Sequence, residues 1–359
     1  MTGTYIIAEA GVNHNGDIEL AKKLVDIAVE AKADAVKFQT FKTENVISNQ
    51  APKADYQIRT TGEEESQFEM VKKLELSFSQ FKELKAYCEE RNIEFLSTPF
   101  DEESADFLID ELCMKTIKIP SGEITNAPLL LHIARKRPHV ILSTGMATLS
   151  EIENALGVLA FGLLQKKEVP SMEVFKEIFI SYEGQQILKE NVTLLHCTTE
   201  YPALINDVNL LAINTMKKAF GLPVGYSDHT EGIAITVAAI ALGATVIEKH
   251  ITYDKNAEGP DHKASLSPEE LNQMVISIRQ VEQAKGSGVK IPSKSELKNV
   301  NIARKSIVAK KVIKKGEKLT TENITVKRPG SGITPFDYWK LLNKVTMDDF
   351  EKDEEIRLP

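Results

Sequence analysis

The chain has 359 residues, of which 42% are apolar and 27% are charged, a balance typical of a globular protein. At roughly 150 residues per domain, this length predicts two or three domains, or one large barrel with an appended domain. No apolar run approaches the roughly 18 residues that a membrane-spanning helix needs. The net charge of −8 argues against a general binder of nucleic acid or anionic membranes, because phosphate groups are held by basic side chains.

The cysteines indicate a reducing compartment. Cys88, Cys113 and Cys197 are odd in number and far apart, and they form no CxxC pair. No secretory signal precedes Tyr5. We therefore expect a cytoplasmic protein.

Charge and composition divide the chain. Residues 301–359 carry a net charge of +4, whereas the rest of the chain carries −12. The segment 286–299, GSGVKIPSKSELKN, has the Gly, Ser, Pro and Lys content typical of a linker. We predict a first domain over 1–285, a linker over 286–300 and a C-terminal domain over 301–359.

Short apolar segments predict the strands of the first domain, and each is followed by a helical pattern with apolar residues at i, i+3 and i+4. Asp17 and Asp101 are placed to cap two of these helices. The predicted strands cover 5–8, 35–39, 94–97, 116–119, 140–143, 193–196, 223–226 and 245–248. Eight βα units in succession predict an α/β fold of the (β/α)8 (TIM) barrel type. The alternative is an open doubly wound sheet, but the GxGxxG turn expected in such a sheet does not occur.

Two connections are longer than the others. The segment 149–191 can hold a helix and a second helical piece after Pro170, and we interpret it as an insertion on the outer ring. The segment 42–67 follows the second strand and is polar. In a barrel this segment emerges at the carboxyl ends of the strands, where such loops shape the substrate pocket.

Polar side chains cluster at the carboxyl ends of all the predicted strands, which a barrel serving only as a scaffold would not need. In chain order they are Glu9, Asn13, His14, Lys37, Gln39, Ser97, Thr98, Lys118, Ser121, Glu123, Ser143, Thr144, His196, Thr198, Tyr201, Ser227, Asp228, His229, Glu248, Lys249 and His250. The sequence therefore predicts an active site at this face of the barrel.

Lys37 and Lys118 lie within otherwise apolar strands. Strand alternation points both side chains into the barrel, where an ammonium group without an anionic partner is unfavourable. The two lysines therefore indicate a polyanionic ligand with carboxylate and phosphate groups, held also by donors at 120–122 and 143–145. Two alternatives remain open: buried ion pairs with Glu9 and Glu123, or a lysine that forms a Schiff base in an aldolase.

His229 and His250 end the seventh and eighth strands, which are neighbours in a barrel, so the two imidazoles can converge on one cation. Two histidines with open coordination positions suit Mn²⁺, Zn²⁺ or Fe²⁺, and such a site can polarise a carbonyl group. The alternative is that each histidine only forms hydrogen bonds. Asp261 and His262 lie in a turn placed to fold over the pocket.

Several segments, taken in order, resemble the sialic acid synthase family. They are IIAEAGVNHNGD (6–17), VKFQTF (36–41), FLSTPF (95–100), KIPSGE (118–123), LSTGM (142–146), GYSDHT (225–230), EKH (248–250) and GPDH (259–262). The segments RKSIVA (304–309), KKGE (314–317) and KRPGSGI (327–333) resemble the family's small, β-rich antifreeze-like (SAF) domain. The resemblance thus covers nearly the whole chain.

The resemblance implies a metal-dependent transferase of carbohydrate biosynthesis. Members condense phosphoenolpyruvate with the open-chain aldehyde of an N-acylated hexosamine, break the C–O bond of phosphoenolpyruvate, and release phosphate and a nine-carbon 2-keto acid. The implied cofactor is a divalent cation, Mn²⁺ first and Mg²⁺ or Co²⁺ as alternatives. The implied assembly is a domain-swapped homodimer.

Matching motifs also imply residue roles. The implied metal ligands are His229 and His250, of which His250 is also catalytic. The implied phosphoenolpyruvate site comprises Lys37, Thr98, Lys118, Ser121 and Ser143, with Thr199 and Tyr201 near the phosphate and Ser227 as a further substrate-binding residue. The implied sugar side comprises Glu9, Gln39, Phe100, Glu123 and Asp261, with Arg328 reaching the pocket of the partner subunit to meet the N-acyl group. Glu9 or Glu123 would handle the proton of the attacking water, and the sequence leaves both open.

Two features bear on the substrate. Thr199 stands where other members have asparagine, which leaves its phosphate contact open. The loop 52–63 resembles members acting on N-acetylmannosamine and members acting on 2,4-diacetamido-2,4,6-trideoxymannose. We expect N-acetylneuraminate as the product, with N,N'-diacetyllegionaminate as the alternative. A Schiff-base sugar-acid lyase is less favoured, and the pair of histidines argues against a sugar-binding protein without activity.

Overall fold

The computed structural model describes residues 3–54, 57–58, 61–62 and 65–357. The chain divides into two compact units, Met1–Gly286 and Ser287–Pro359. Residues 55, 56, 59, 60 and 63 of the loop 52–63, on which the two substrates were compared, lie outside the described residues.

The first unit contains a sheet of eight parallel strands in the order β3-β2-β1-β8-β7-β6-β5-β4, which is the cyclic order of a (β/α)8 barrel. The strands are β1 Tyr5–Gly11, β2 Ala35–Thr40, β3 Glu94–Pro99, β4 Thr116–Ile119, β5 His139–Ser143, β6 Val192–Cys197, β7 Val224–Asp228 and β8 Val246–His250. The two end strands, β3 and β4, contact each other. The predicted barrel is confirmed, and each predicted strand overlaps an observed one.

Helices follow the strands and pack around them, since their apolar faces join the strand side chains in one buried core. Among the described residues of this unit, the α-helices with established bounds are Ile18–Glu30, Thr43–Val46, Gln67–Leu74, Phe78–Glu90, Glu102–Asp106, Ala127–Arg135, Leu149–Leu163, Met172–Ile180, Tyr182–Asn191, Ala212–Phe220, Ala234–Ala241 and Pro268–Lys285. Asp17 accepts hydrogen bonds from the Glu19 and Leu20 N–H groups, and Asp101 accepts one from Ser104 N–H, so both act as the predicted N-caps. No helix among the described residues is long and apolar enough to cross a membrane.

The long connection between β5 and β6 contains more helix than predicted. Leu149–Leu163 is followed by two further helices, Met172–Ile180 and Tyr182–Asn191, where one piece was expected. Both contact Leu149–Leu163, whose residues from Ala155 to Leu163 are all buried. A helix that is apolar on all sides must be covered on all sides. The extra helices therefore cover the outer face of a barrel helix.

The second unit is a small domain built on an antiparallel pair of strands, β9 Ser306–Ala309 and β10 Ile324–Lys327. Its helices are Lys294–Ala303 and Tyr338–Leu341. Its own apolar core consists of Ile307, Ala309, Ile313, Leu319, Ile324, Leu341, Phe350 and Ile356.

Part of the segment predicted as a linker is helical. The helix Lys294–Ala303 crosses the boundary placed at residue 300. The side chain of Ser293 accepts a hydrogen bond from Glu296 N–H, and the Glu296 side chain accepts one from Ser293 N–H, which forms a capping box. The S-x-x-E pattern at 293–296 indicates a helix start, but the polar composition of the segment led to its prediction as a linker.

A buried histidine near the start of the barrel makes the fold sensitive to acid. His14 is fully buried, and its Nδ1 accepts a hydrogen bond from Gly16 N–H at 3.0 Å. Burial lowers the pKa of His14 to about 4. Because the unfolded chain binds the proton near pH 6.5 and the folded chain does not, stability is lost as the pH falls from about 6.5 toward 4.

We expect His14→Gln to remove this dependence, since glutamine is neutral and can still accept the Gly16 hydrogen bond. Between pH 7 and pH 5, the free energy of unfolding should fall by about 2 kcal/mol less in the variant than in the unsubstituted protein. Urea unfolding at the two pH values measures this difference. Equal pH dependence in the two proteins would contradict the assignment.

Candidate active site

A cavity of about 450 Å³ lies at the carboxyl ends of the barrel strands. Each of the eight strands contributes to its lining, and so do the connections after β2, β4 and β8. The residues of the first unit to which the resemblance assigns a substrate, metal or catalytic role all line this one cavity: Glu9, Lys37, Gln39, Thr98, Phe100, Lys118, Ser121, Glu123, Ser143, Thr199, Tyr201, Ser227, His229, His250 and Asp261. The structure thus brings the predicted residues together, and their roles stay predictions.

The strand register explains why these residues meet. Glu9 on β1 is the register partner of Lys37 on β2 and of His250 on β8. Ser227 on β7 is likewise the partner of Glu248 on β8. Because side chains alternate along a strand, partners at one level present their functional groups to the same interior. Residues far apart in sequence are therefore adjacent in the cavity.

Four charged side chains, those of Glu9, Lys37, Lys118 and Glu248, lie together in the cavity, and we call them the charged floor. The Lys37 ammonium group pairs with the Glu9 carboxylate and lies 3.7 Å from Glu248 Oε2. It also donates a hydrogen bond to Thr98 Oγ1 at 3.0 Å. Lys118 Nζ lies 3.5 Å from Glu248 Oε1. All four charged side chains are buried, so each ammonium group faces a carboxylate.

Glu248 is the residue that the sequence analysis missed. It stands among the strand-end residues without a role, and the ion-pair alternative for the two lysines named Glu9 and Glu123 instead. In the structure Glu123 is only half-buried and accepts a hydrogen bond from Asn126 Nδ2 at 2.6 Å. Glu248 instead pairs with both lysines and accepts a hydrogen bond from Ser227 Oγ at 2.9 Å. The alternation of side chains along Glu248-Lys249-His250 could have predicted this position of Glu248, since it places Glu248 on the same face of β8 as His250.

The two buried carboxylates differ in proton affinity. Burial raises the pKa of Glu9, and the charge of Lys37 only partly opposes this effect. Burial also acts to raise the pKa of Glu248, but the charges of Lys118 and Lys37 outweigh it and hold the Glu248 pKa below its usual range. Burial lowers the pKa of Lys118, with Glu248 opposing. Two carboxyl groups with separated pKa values are suited to different roles, one as a proton carrier and one as a fixed charge.

A backbone N–H group, two hydroxyl groups and a thiol lie close together, and the residues that carry the hydroxyl groups and the thiol line the cavity. Gly145 N–H donates to Ser121 Oγ at 3.0 Å, and Ser121 Oγ lies 3.0 Å from Cys197 Sγ. A Cβ atom on Gly145 would stand 2.8 Å from both of these side-chain atoms and closer still to Thr199 Oγ1. The Thr199 hydroxyl is buried and has no hydrogen-bond partner among the described residues. We call Ser121, Gly145, Cys197 and Thr199 the hydroxyl cluster; it presents the kind of donors that cradle an anion.

The rings of His229 and His250 lie next to each other in the cavity, with centroids 5.7 Å apart and an interplanar angle of 57°. His229 Nδ1 lies 2.7 Å from the Thr198 carbonyl oxygen, so Nδ1 carries the hydrogen and the lone pair is left on Nε2. His250 Nδ1 is buried without a hydrogen-bond partner among the described residues and lies 3.9 Å from Asp261 Oδ2. Burial lowers the pKa of His229 to about 4 and that of His250 well below its usual value, so both rings are neutral at pH 7.

These features fit a divalent cation bound through imidazole nitrogen, which must be neutral to coordinate. Within the described ranges, no group of three or more His, Cys, Asp or Glu side chains is arranged to hold a metal ion. A cation held by His229 and His250 would therefore take further ligands from water or substrate. Tyr201 packs against both rings, with centroid distances of 4.1 Å to His229 and 5.6 Å to His250, and its predicted role near the phosphate stays a prediction.

An apolar wall faces the charged floor. Val12, Phe41 and Leu74 form a separate buried cluster, against which Val46, Val71 and Phe100 pack. Ile47 and Met70 add to the lining, and Gln67 Nε2 donates a hydrogen bond to Gln57 Oε1 at 3.3 Å beside them. The connection after β2 therefore shapes the cavity as predicted. The helix Gln67–Leu74 supplies part of the wall, which the sequence analysis did not predict.

Arg328 belongs to the second unit, where its Nε donates a hydrogen bond to the Ala303 carbonyl oxygen at 2.9 Å. Its predicted role at a partner's pocket stays a prediction.

Two protein-family models match the chain and show the family to which it belongs. The model of the NeuB family matches residues 24–290, and the model of the SAF domain matches residues 304–359. The chain belongs to the NeuB family. The resemblance stated from the sequence motifs is thereby confirmed for both parts of this NeuB-family protein.

Several relatives of this NeuB-family protein are named as synthases of sugar acids. It is 54% identical over 357 residues to the N,N'-diacetyllegionaminic acid synthase of Campylobacter jejuni subsp. jejuni serotype O:2, covering 99% of this chain and 100% of the relative. The enzyme of that name from Legionella pneumophila is 46% identical, covering 92% of this chain and 87% of the relative. The crystal structure of N-acetylneuraminic acid (sialic acid) synthetase from Leptospira borgpetersenii, in complex with citrate, matches with a TM-score of 0.66 and 34% identity, covering 83% and 90% of the two chains. These relatives support an enzyme.

Proposed function

We propose that this protein is an N,N'-diacetyllegionaminate synthase. It would condense phosphoenolpyruvate, water and open-chain 2,4-diacetamido-2,4,6-trideoxymannose into N,N'-diacetyllegionaminate and phosphate. From the sequence motifs alone, N-acetylneuraminate is the expected product. The two relatives named N,N'-diacetyllegionaminic acid synthase, at 54% and 46% identity, support the alternative product instead.

The observation that carries this proposal is the division of the cavity into a charged floor and an apolar wall. Phosphoenolpyruvate is a trianion, and Lys37 and Lys118 at the floor would bind it through charge-assisted hydrogen bonds. The hydroxyl cluster would bind its phosphate group, since the free Thr199 hydroxyl and the other donors are turned toward the same point. The Lys37 and Lys118 side chains are buried, which strengthens their interactions with an anion.

The bond-forming step joins C3 of phosphoenolpyruvate to the aldehyde carbon. C2 then carries positive charge and is captured by water, and the resulting tetrahedral carbon becomes the ketone as phosphate leaves with cleavage of the C–O bond. Of the two protons of the water, one ends on the former aldehyde oxygen, which becomes a hydroxyl group, and the other on the released phosphate. Glu9 would take the proton of this water, because its raised pKa makes it a better base than Glu248. Glu248 would stay ionised and hold the two lysines in place.

His229 and His250 would hold a divalent cation, Mn²⁺ first and Mg²⁺ or Co²⁺ as alternatives, and this ion supplies polarisation of the aldehyde oxygen when bound. The Thr198 carbonyl group fixes the His229 tautomer, and Tyr201 restricts both rings. We further propose a domain-swapped homodimer in which Arg328 of each subunit meets the N-acyl group in the other.

The apolar wall would select the sugar. The proposed substrate carries a methyl group at C6 and an acetamido methyl group at C4, where N-acetylmannosamine carries hydroxyl groups. Against Val46, Met70 and Leu74 a methyl group is favourable, whereas a hydroxyl group is left without a partner.

A rate comparison of the two sugars with phosphoenolpyruvate and Mn²⁺ tests the proposal. We expect kcat/KM for the 6-deoxy diacetamido sugar to exceed that for N-acetylmannosamine by roughly 10- to 100-fold, the usual limit for discrimination by an apolar pocket. Equal or higher kcat/KM for N-acetylmannosamine would contradict the proposal and favour N-acetylneuraminate as the product. Loss of activity in EDTA with recovery on adding Mn²⁺ would support metal dependence, and a borohydride-trapped pyruvate adduct without metal would support the lyase alternative instead.

A further inference from the structure

A buried ion pair lies immediately behind the two histidines. Lys249 Nζ lies 3.1 Å from Asp228 Oδ2, and both side chains are fully buried. The Asp228 carboxylate also accepts hydrogen bonds from Thr230 N–H at 2.8 Å, Thr230 Oγ1 at 2.8 Å, Thr236 Oγ1 at 2.5 Å and Tyr226 OH at 3.3 Å. The Lys249 ammonium group donates a second hydrogen bond, to the Thr230 carbonyl oxygen.

This pair is not part of the cavity. Strand alternation places His229 and His250 toward the interior and Asp228 and Lys249 on the opposite face, and the latter two are absent from the cavity lining. The prediction that all four side chains lie at the active-site face is therefore wrong for Asp228 and Lys249. On the outer face, Asp228 is tied to Thr236 of the helix Ala234–Ala241.

The pair joins the two strands at one level. Asp228 on β7 and Lys249 on β8 are register partners, and each immediately precedes one histidine. A buried charge pair with so many directed hydrogen bonds tolerates little displacement, because any shift leaves a charge without a partner in a medium of low dielectric constant. The position of each histidine backbone is therefore fixed relative to the other.

We propose that Asp228 and Lys249 are positioning residues that set the separation of His229 and His250 for a divalent cation. This inference rests on the proposed function, since the histidines are its metal ligands. Groups that orient metal ligands from behind typically change metal affinity by about 10- to 100-fold when they are replaced. The pair would act in this way through the backbone of two strands rather than through the imidazole rings.

The test measures Mn²⁺ affinity of the full chain by titration calorimetry in the double variant Asp228→Asn/Lys249→Met. The double substitution keeps the side-chain sizes and leaves no unpaired buried charge. We expect the Kd for Mn²⁺ to rise at least about tenfold, while the thermal midpoint measured without metal changes little. The control is Asp34→Asn/Arg279→Met, which removes a partly exposed ion pair of 3.0 Å elsewhere on the barrel and should leave the Kd unchanged.

A Kd within twofold of the unsubstituted protein would overturn the inference. If the double variant does not fold, Thr236→Val provides the test, because this variant retains both charges and removes one hydrogen bond to Asp228. We then expect a severalfold rise in the Kd for Mn²⁺, and an unchanged Kd would overturn the inference.

The proposed function is tested separately by product formation in the unsubstituted protein. Product formed without Mn²⁺ binding would overturn this inference together with the proposed metal role of the histidines, but not the proposed synthesis of N,N'-diacetyllegionaminate. Mn²⁺ binding without product would overturn the proposed synthesis alone.

Discussion

Replacing Lys118 with methionine is expected to lower kcat/KM for phosphoenolpyruvate by roughly 10²- to 10³-fold. Lys118 is buried and faces Glu248 at 3.5 Å, so methionine removes a cation that the substrate trianion needs and leaves Glu248 to repel that trianion. Truncating one partner of a buried charge pair costs about 2–5 kcal/mol, which corresponds to this range of rates. Steady-state kinetics with varied phosphoenolpyruvate measures the change.

The matched control is Lys82→Met. Lys82 Nζ lies 2.7 Å from Glu111 Oε2 on the outer surface, and both side chains are 55% exposed. Exposed ion pairs contribute little, so this substitution should leave kcat/KM within about twofold. Similar losses in both variants would mean that Lys118 acts through folding rather than through the substrate.

Gly145→Ala is expected to lower kcat/KM for phosphoenolpyruvate by at least about 10²-fold while the protein stays folded. The added Cβ atom would displace the side chains of Ser121, Cys197 and Thr199, which are short and can rotate away. Their rotation disrupts the hydroxyl cluster, and a displacement of about 1 Å in a positioning group can reduce a rate 10²-fold. The loss should appear mainly in KM for phosphoenolpyruvate.

Gly122→Ala provides the comparison. A Cβ atom on Gly122 would meet no atom within 4 Å, although this glycine lines the same cavity. Its substitution should therefore reduce kcat/KM far less than that of Gly145. Equal effects, or an unaltered KM in Gly145→Ala, would contradict the assignment of the hydroxyl cluster to the substrate.

The barrel was predictable because its signals are local. Apolar strands such as 140–143, caps such as Asp17, and polar residues after each strand all depend on a few consecutive residues. The cavity residues followed from the same alternation, since Lys37 and Lys118 stand out within apolar strands. Residue types and their positions at the strand ends were therefore sufficient to predict most residues of the candidate site.

Other features depend on contacts between distant segments, which the local pattern does not encode. The choice of Glu248 rather than Glu123 as the partner of Lys118 depends on how β8 faces β4 across the barrel. The outward orientation of Asp228 and Lys249 was available from alternation, but their pairing depends on the register of β7 and β8. The wall contributed by Met70 depends on where the helix Gln67–Leu74 packs.

The apolar wall and the charged floor differ in how they are encoded. Most wall residues, from Phe41 to Leu74, come from the one connection between β2 and β3, whereas the floor is assembled from several strands. Under the proposed function, a change of sugar preference would therefore require changes only within a single contiguous stretch of the gene, without altering the groups proposed to bind phosphoenolpyruvate. Such a division lets one barrel chemistry diversify toward related sugars by exchange of one segment.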